Sequence, residues 1–200
     1  MLVFRKLLAH ETACLKDHLL RLDVEDRRLR FGHFVSPEVV IAYVDAISWD
    51  DTWIVGAFEG AVLRGVAELR DSGAPGIRPA ARVGELAVTV EPACRNQGIG
   101  TRLLEEALLI ARNRGFETLY LLCLPENQQM QRIARKFGER LAVQDSGVEV
   151  RVKSPQPSPL SFFAEIFGDA VAFWQTAASR AANDDTPPAP HPPPPTPRPG

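Results

Sequence analysis

Residues 95–101, Arg95-Asn96-Gln97-Gly98-Ile99-Gly100-Thr101, carry the strongest structural signal in this chain. They follow a strand-like run, Glu85-Leu86-Ala87-Val88-Thr89-Val90, and lead into an amphipathic helical pattern from Ile99 to Arg114. A strand that passes through a glycine-containing turn into a helix N-terminus forms an anion site, because unpaired backbone N–H groups converge there and the helix dipole adds positive potential. Gly98 and Gly100 let the backbone approach a phosphate with no Cβ in between. The segment therefore predicts a site for a phosphate-bearing cofactor.

Composition limits the classes of protein to which the chain can belong. Its 200 residues are enough for one ordinary domain with an appendage, or for two very small domains, and 45% of them are hydrophobic. A net charge of −2 lacks the excess of basic residues that is typical of proteins that bind nucleic acid. No apolar run reaches the roughly 18 residues of a membrane span, and the first residues lack the long apolar core of a secretory signal. We therefore expect neither a nucleic-acid partner nor a membrane association.

The three cysteines, Cys14, Cys94 and Cys123, are odd in number and widely spaced. Neither a disulfide framework nor a zinc site has this spacing, so we expect no metal site. Free thiols are typical of a reducing compartment, and the expected localisation is cytoplasmic.

Hydrophobic periodicity and turn residues predict an α/β fold of the α+β kind over residues 1–152. Helices are predicted at Thr12–Leu22 with Thr12 as cap, after Ser36-Pro37-Glu38 with Ser36 as cap and Pro37 in the first turn, at Ile99–Arg114 and at Pro125–Phe137. Gly73–Arg82 is predicted to be a loop. The predicted strands are Leu2–Leu8, Trp53–Phe58, Ala61–Leu69, Val83–Val90, Thr118–Leu124, Arg140–Gln144 and Val148–Val152.

The composition changes after Val152. Residues 153–159 predict a stiff proline-containing linker, residues 160–183 an amphipathic helix, and residues 184–200 a disordered Pro-rich tail. Phe163, Phe167, Val171 and Trp174 lie along one stripe of the predicted helix. Two interpretations of the stripe stay open: it joins two copies of the chain in a homodimer, or it docks a different partner.

With these elements in place, the pattern strand, Arg-x-x-Gly-x-Gly, helix resembles the pyrophosphate signature of the GNAT superfamily of acyl-CoA-dependent N-acyltransferases. Arg95, Gly98 and Gly100 match that signature, and Val88 and Val90 match the Val-x-Val that precedes it. The segment lacks the third glycine and the downstream acid of a dinucleotide fingerprint, and it lacks the Lys-Ser/Thr ending of a P-loop. The resemblance implies a single GNAT-like domain with a mixed, mostly antiparallel sheet of six to seven strands and helices on both faces.

Further segments extend the resemblance over about residues 1–152. Asn127 and the helix it opens are similar to the family's second signature, which lies beside the pantetheine arm of CoA. Arg28-Leu29-Arg30-Phe31, Ser36-Pro37-Glu38 and the run Glu85–Val90 are similar to the acetyltransferase domain of bacterial protein-lysine acetyltransferases. The tail lies outside the resemblance.

The resemblance implies acetyl-CoA as co-substrate. Its pantetheine arm would enter a gap between the strands Val83–Val90 and Thr118–Leu124, beside Asn127, and bond to the backbone of Val88, Thr89 and Val90. A β-bulge near Ala87–Thr89 would aim an amide at the thioester oxygen. The diphosphate would rest on Arg95, Asn96, Gln97, Gly98, Ile99, Gly100 and Thr101.

Transfer to a lysine-type amine requires removal of a proton, since such an amine has a pKa near 10.4. The resemblance makes Glu85 the candidate base, with Glu91 second. The alternative for Glu85 is a structural role, in which it forms a surface ion pair with Arg70 or Arg82.

The position that often holds a tyrosine acid in the family is occupied by Ala134. Tyr120 and Cys123 lie on a neighbouring strand, and core packing is the favoured interpretation of both.

The expected activity is acetyl transfer to the primary amine of a protein lysine or a small molecule by direct attack in a ternary complex. The alternative is a non-catalytic acyl-CoA-binding module that docks a partner through its C-terminal helix.

Overall fold

The structure is a computed structural model that describes residues 1–73, 82–144 and 147–184. Most of the predicted loop Gly73–Arg82 and almost all of the predicted tail at 184–200 lie outside the described residues.

Within these ranges, seven strands form one sheet in the order β1-β2-β3-β4-β5-β7-β6. Only β4 and β5 are parallel, and the other neighbours are antiparallel. The mixed, mostly antiparallel sheet predicted from the sequence is thus confirmed. The strands are β1 (Leu2–Lys6), β2 (Thr52–Glu59), β3 (Val62–Asp71), β4 (Arg82–Val90), β5 (Phe116–Cys123), β6 (Glu139–Gln144) and β7 (Gly147–Lys153).

Helices cover both faces of this sheet, as predicted. Buried residues of α1 and α3 form one core with β2 and β3, and buried residues of α4 form a second core with β2 to β5 and β7. The helices of the described ranges are α1 (Thr12–Arg21), α2 (Val24–Phe31), α3 (Pro37–Asp45), α4 (Ile99–Asn113), α5 (Gln128–Ala134) and α6 (Pro159–Asp184).

Of the two N-cap residues predicted from the sequence, one is confirmed and one is wrong. Ser36 caps α3 as predicted, with its side chain accepting a bond from the Val39 amide and Pro37 in the first turn. Thr12 is not a cap, because a 3-10 turn at Ala9–Glu11 precedes α1 and the Thr12 hydroxyl donates to the Ala9 carbonyl at 2.6 Å.

Helix α2 was not predicted, although it proves important for the site. Five of its eight residues are charged, so it shows little apolar periodicity. It is defined instead by its ends: the Asp23 side chain accepts from the Asp26 amide at 2.7 Å, and Gly32 closes it at φ +80°.

The nearly all-apolar sequence of β5 is typical of a strand covered on both faces, but the structure covers one face only. Leu119 and Leu121 are fully buried against the α4 side, but Leu122 on the opposite face is 67% exposed. Helices α1 to α3 therefore leave this part of the sheet open to solvent.

Helix α6 packs on β1 and α4, and the preceding chain lies against the end of α4, where Arg112 Nε donates to the Gln156 carbonyl at 2.8 Å. The predicted helix at 160–183 is present, but the stripe of Phe163, Phe167 and Trp174 points to solvent. None of the helices in the described residues has the length and apolar character needed to cross a bilayer.

Candidate active site

A fork between β4 and β5 opens the sheet beside the glycine turn. The two strands pair from Arg82 to Leu86, whose partner is Leu121, and beyond that point residues 87–90 pair with β3 alone. The predicted gap between these two strands is therefore present, and one edge of 87–90 faces it.

The hydrogen-bond alternation of an antiparallel pair shows which backbone groups face the gap. The Glu91 amide donates to the Arg64 carbonyl on β3 at 2.9 Å. Alternate residues of a strand point to opposite neighbours, so Thr89 also faces β3 whereas Val88 and Val90 face the gap. The Val90 carbonyl already accepts from Arg95 Nε at 3.0 Å, which leaves both backbone groups of Val88 and the Val90 amide for a ligand.

The β-bulge expected near Ala87–Thr89 is absent. The pairing of β3 with β4 runs in unbroken register from Gly65 and Val90 to Asp71 and Gly84. A bulge would place two residues opposite one, and every residue here has a single partner. The Val88 amide therefore points into the gap because alternate residues of a regular strand face opposite neighbours, and no bulge is needed to orient it.

The start of α4 lies at the other end of the gap. Gly98 precedes the helix at φ +78°, a conformation that favours glycine, and no side chain of the described residues caps the first amides. Residues 96–98 are exposed, and Gly98, Ile99, Gly100 and Thr101 line a cleft, so an anion in that cleft would meet the positive end of the helix dipole. A Cβ on Gly100 would stand 3.1 Å from Ile133 Cδ1, which shows how closely α4 approaches α5.

A cleft of about 280 Å³ connects the fork to the α4 N-terminus. Two predicted residues do not line it: Gln97, whose amide donates to the Ala93 carbonyl at 3.4 Å, and Glu85. The predicted residues that the cleft does bring together are Val88, Thr89, Val90, Arg95, Asn96, Gly98, Ile99, Gly100, Thr101 and Asn127.

Helix α2, helix α5 and the turn after α5 supply cleft residues that sequence reasoning did not assign to the site. Asp26, Leu29 and Arg30 of α2 form one wall, and their spacing, once a helix is allowed there, places them on one face. Arg132 and Lys136, four residues apart and both exposed, line the opposite side. Neither makes an ion pair within the part of the chain that the structure describes, so both are free to meet phosphate groups.

Ion pairs hold these walls around the cleft. Arg95 Nη2 contacts Asp26 Oδ1 at 2.6 Å and so ties the glycine turn to α2. Arg28 Nη2 contacts Glu126 Oε1 at 2.5 Å and ties α2 to the segment before α5. Asn127 caps α5 by accepting from the Met130 amide at 3.1 Å, which gives its side chain a positioning role at the cleft wall.

A buried polar cluster anchors α2 to β3. Glu68, 4% exposed, accepts from Arg30 Nη2 at 2.9 Å, from Arg70 Nη2 at 3.1 Å and from the Tyr43 hydroxyl. Burial opposes the charge on Arg30, but the attraction of Glu68 prevails and raises the guanidinium pKa. Because Glu68 pairs with Ala87 in the sheet, this cluster lies beside the part of β4 that continues past the fork.

Glu85 stands one residue before the last β4–β5 pair, on an exposed face of the sheet. The two arginines considered as its partners are turned elsewhere: Arg70 donates to Tyr43 and Glu68, and Arg82 Nε contacts Asp71 Oδ2 at 2.7 Å. Its sheet neighbours are Arg70 on one side and Tyr120 on the other. In the described residues Glu85 has no ion pair, so its role as base stays a prediction with a free carboxylate in its favour.

Glu91, the second candidate base, is fully engaged. Its carboxylate accepts from Arg21 Nε at 2.8 Å and from Arg64 Nη1 at 3.0 Å, and it lies 3.3 Å from His18 Nδ1. Burial acts to raise the pKa of Glu91, but the hydrogen bonds from Arg21 and Arg64 outweigh it and hold the pKa below its usual value. A carboxylate held in this way is a poor acceptor for a substrate proton.

The candidate acids are no better placed. Ala134, at the position that often holds a tyrosine acid in the family, is fully buried and packs in the hydrophobic core. Cys123 is 3% exposed, and burial raises the pKa of its thiol to about 11, which supports the core interpretation. Tyr120 is half-buried beside Glu85 on the open face.

His18 gives a pH-dependent prediction. It is fully buried, with Nε2 2.8 Å from Thr89 Oγ1, and burial lowers its pKa to about 4 although Glu91 acts in the opposite direction. The unfolded chain, with an ordinary pKa of about 6.5, takes up the proton first, so the free energy of unfolding should fall as the pH drops from about 6.5 to about 4. The total loss is about 3 kcal/mol.

Urea unfolding between about pH 6.5 and 5, above the range in which carboxylates titrate, measures this effect. We expect the decline to vanish in His18→Gln and to persist in His10→Gln, which removes an exposed histidine. A wild-type stability that stays flat over this range would contradict the assignment.

Three comparisons with known proteins agree with this geometry. The sequence profile described as the acetyltransferase (GNAT) family matches residues 18–138. A curated Bacillus subtilis (strain 168) relative, "Putative phosphinothricin acetyltransferase YwnH", is 36% identical over 57 residues. That match spans 28% of this chain and about a third, 35%, of the relative's length.

Solved structures share the fold. The GNAT domain of S. lividans PAT superposes with a TM-score of 0.64 at 21% identity, over 75% of this chain and 89% of that chain. The yncA structure from Salmonella typhimurium, which contains its cofactor acetyl-CoA, gives a TM-score of 0.55 at 15% identity, over 79% of this chain and 96% of that chain. The family profile covers more than half of the chain and includes the fork, the glycine turn and the start of α4. The chain therefore belongs to the acetyltransferase (GNAT) family.

Proposed function

We propose that the chain is an acetyl-CoA-dependent N-acetyltransferase that moves the acetyl group to a primary amine. The observation that carries this proposal is the fork of β4 and β5, whose free backbone groups lead to the uncapped N-terminus of α4. One end of this cleft suits an extended amide-containing arm, and the other suits a diphosphate.

In this proposal the pantetheine arm lies along Val88 and Val90, and the diphosphate rests on the amides of Gly98 to Thr101. Arg132 and Lys136 neutralise phosphate charge at the mouth of the cleft. The Val88 amide, next to the fork, donates to the thioester oxygen, where negative charge develops in the transition state.

Glu85 acts as the general base for the acceptor amine, directly or through one water. The freed amine attacks the acetyl carbon, the new C–N bond forms, and the C–S bond breaks with the electron pair leaving on sulfur. The nitrogen then gives up its extra proton and the thiolate takes one up, so the products are the amide and the free CoA thiol. A thiol with a pKa near 8.5 is a tolerable leaving group, so transfer does not depend on a tyrosine at the position of Ala134.

For the acceptor we propose the amine of a protein lysine or of a small molecule. The open face around Glu85 and Leu122 gives room for either, since no helix of the described ranges covers it. The free thiols of Cys14, Cys94 and Cys123 support a reducing, cytoplasmic setting, which is also a proposal.

The buried Ala134 favours one other candidate, a module that binds acyl-CoA without turnover. Incubating the protein and acetyl-CoA with a panel of amines and acetylatable proteins, and measuring release of free CoA thiol, separates the two. Thiol release that depends on one acceptor supports the enzyme. Tight binding without release from any acceptor favours the module, and the absence of binding overturns both.

A further inference from the structure

Helix α6 is attached to the domain through its polar side. Glu165, 8% exposed, contacts Lys6 Nζ at 2.6 Å and accepts from Asn113 Nδ2 at 2.6 Å, and Lys6 also contacts Asp169 at 2.6 Å. Ser161 is buried beside Asn113 and donates to its side-chain oxygen at 2.5 Å. Turning the helix about its axis would break these bonds, so its orientation is fixed.

The opposite side of α6, here called the α6 apolar face, has no cover within the described residues. Six large side chains are between 65% and 79% exposed: Leu160, Phe163, Ile166, Phe167, Phe173 and Trp174. At 3.6 residues per turn they occupy an arc of about 140°, well away from Glu165. An amphipathic helix that points its apolar side outward indicates an interface.

The size of this face is that of a stable protein contact. Its four aromatic side chains, at about 150–250 Å² each and roughly 70% exposure, present on the order of 550 Å². Leu160 and Ile166 bring the face towards the about 800 Å² that each partner buries in a standard interface. A typical monomer shows at most about 300–600 Å² in its largest apolar patch.

We propose that the α6 apolar face joins two copies of this chain in a homodimer. Residues 160–178 contain two charged side chains, Glu165 and Asp169, and both are bound to Lys6. The face therefore offers no charge to complement a charged protein partner. An amphipathic helix that binds anionic lipid needs Lys or Arg on its polar side, and residues 160–178 have neither. Leu160, Phe163, Phe167 and Trp174 follow one another at intervals of three, four and seven residues, which keeps them on one side of the helix and allows two identical helices to pack together around a two-fold axis.

The position of α6 keeps the two clefts separate. It contacts the end of α4 near Asn113, and the cleft begins about 20 Å away at the N-terminus of the same helix. Dimerisation through this face therefore leaves the cofactor cleft of each copy open, and the inference does not depend on the proposed activity.

Sedimentation velocity of the full chain at roughly 1 to 100 µM tests the proposal. We expect twice the chain mass of 22.0 kDa for the wild type and the monomer mass for a Phe163→Glu, Phe167→Glu double variant. Phe34→Glu, which places the same charge at a 67% exposed ring on another surface, should stay dimeric. If the charged pair does not fold by circular dichroism, Phe163→Ala with Phe167→Ala replaces it and should raise the dimer dissociation constant at least tenfold.

Several results would overturn the proposal. They are a wild-type monomer throughout this range, or a double variant that remains dimeric. A wild type that is monomeric until residues 185–200 are removed would show that its own tail covers the face. A monomer that sediments with neutral phosphatidylcholine vesicles would assign the face to a lipid surface.

Discussion

A Glu85→Gln protein is expected to bind acetyl-CoA as tightly as the wild type and to transfer the acetyl group 10²- to 10⁴-fold more slowly at neutral pH. The amide keeps the shape of the side chain but cannot accept the proton of a cationic amine. Glu85 does not line the cleft, so cofactor affinity should not change. The measurement is steady-state release of CoA thiol with the best acceptor, together with calorimetric titration of acetyl-CoA.

The pH profile separates loss of a base from loss of structure. The rate of the variant should rise with pH towards the pKa of the amine, about 10.4 for a lysine, because free amine then replaces the missing base. Glu117→Gln removes the same charge from another exposed position of the sheet and should leave the rate unchanged. A Glu85→Gln protein with wild-type turnover would remove Glu85 from the mechanism.

The residues around the glycine turn could be grouped from the sequence because they are close together in the chain. The turn from β4 into α4 lies within one short segment, and Gly98 and Gly100 have the backbone and packing roles that their identities suggest. Ten of the eleven predicted cofactor residues consequently line one cleft.

The α2 wall could not be predicted in the same way. Periodicity detects apolar stripes, whereas α2 contacts its surroundings largely through charged side chains. Its main contacts, from Asp26 to Arg95 and from Arg28 to Glu126, join residues far apart in the chain. Pair contacts of this kind are set by the tertiary fold.

The orientation of α6 shows the same limit from the opposite side. Its apolar stripe was visible in the sequence, and both interpretations of it, a homodimer or a different partner, require the stripe to face away from the domain. The contacts that turn the polar side inward could not be predicted, because Lys6 and Glu165 are separated by 159 positions.

A Gly98→Asp protein is expected to bind acetyl-CoA at least about 100-fold more weakly than the wild type, while Gly98→Asn stays within about tenfold. Gly98 has φ +78°, and no heavy atom lies within 4 Å of the point that a Cβ would occupy, so a side chain has room there. Asn and Asp are the residues that best tolerate this left-handed conformation, and they have the same shape. The difference between the two proteins therefore reports the added carboxylate, whose charge repels a diphosphate at the start of α4.

Calorimetric titration of acetyl-CoA into the wild type, Gly98→Asn and Gly98→Asp tests most directly whether the uncapped start of α4 holds the diphosphate. We predict one site per chain in the wild type, near-normal affinity in Gly98→Asn and severe loss in Gly98→Asp, with all three proteins unfolding at similar temperatures without ligand. Equal affinities for the Asn and Asp proteins, or no heat of binding in the wild type, would contradict this account of the cleft.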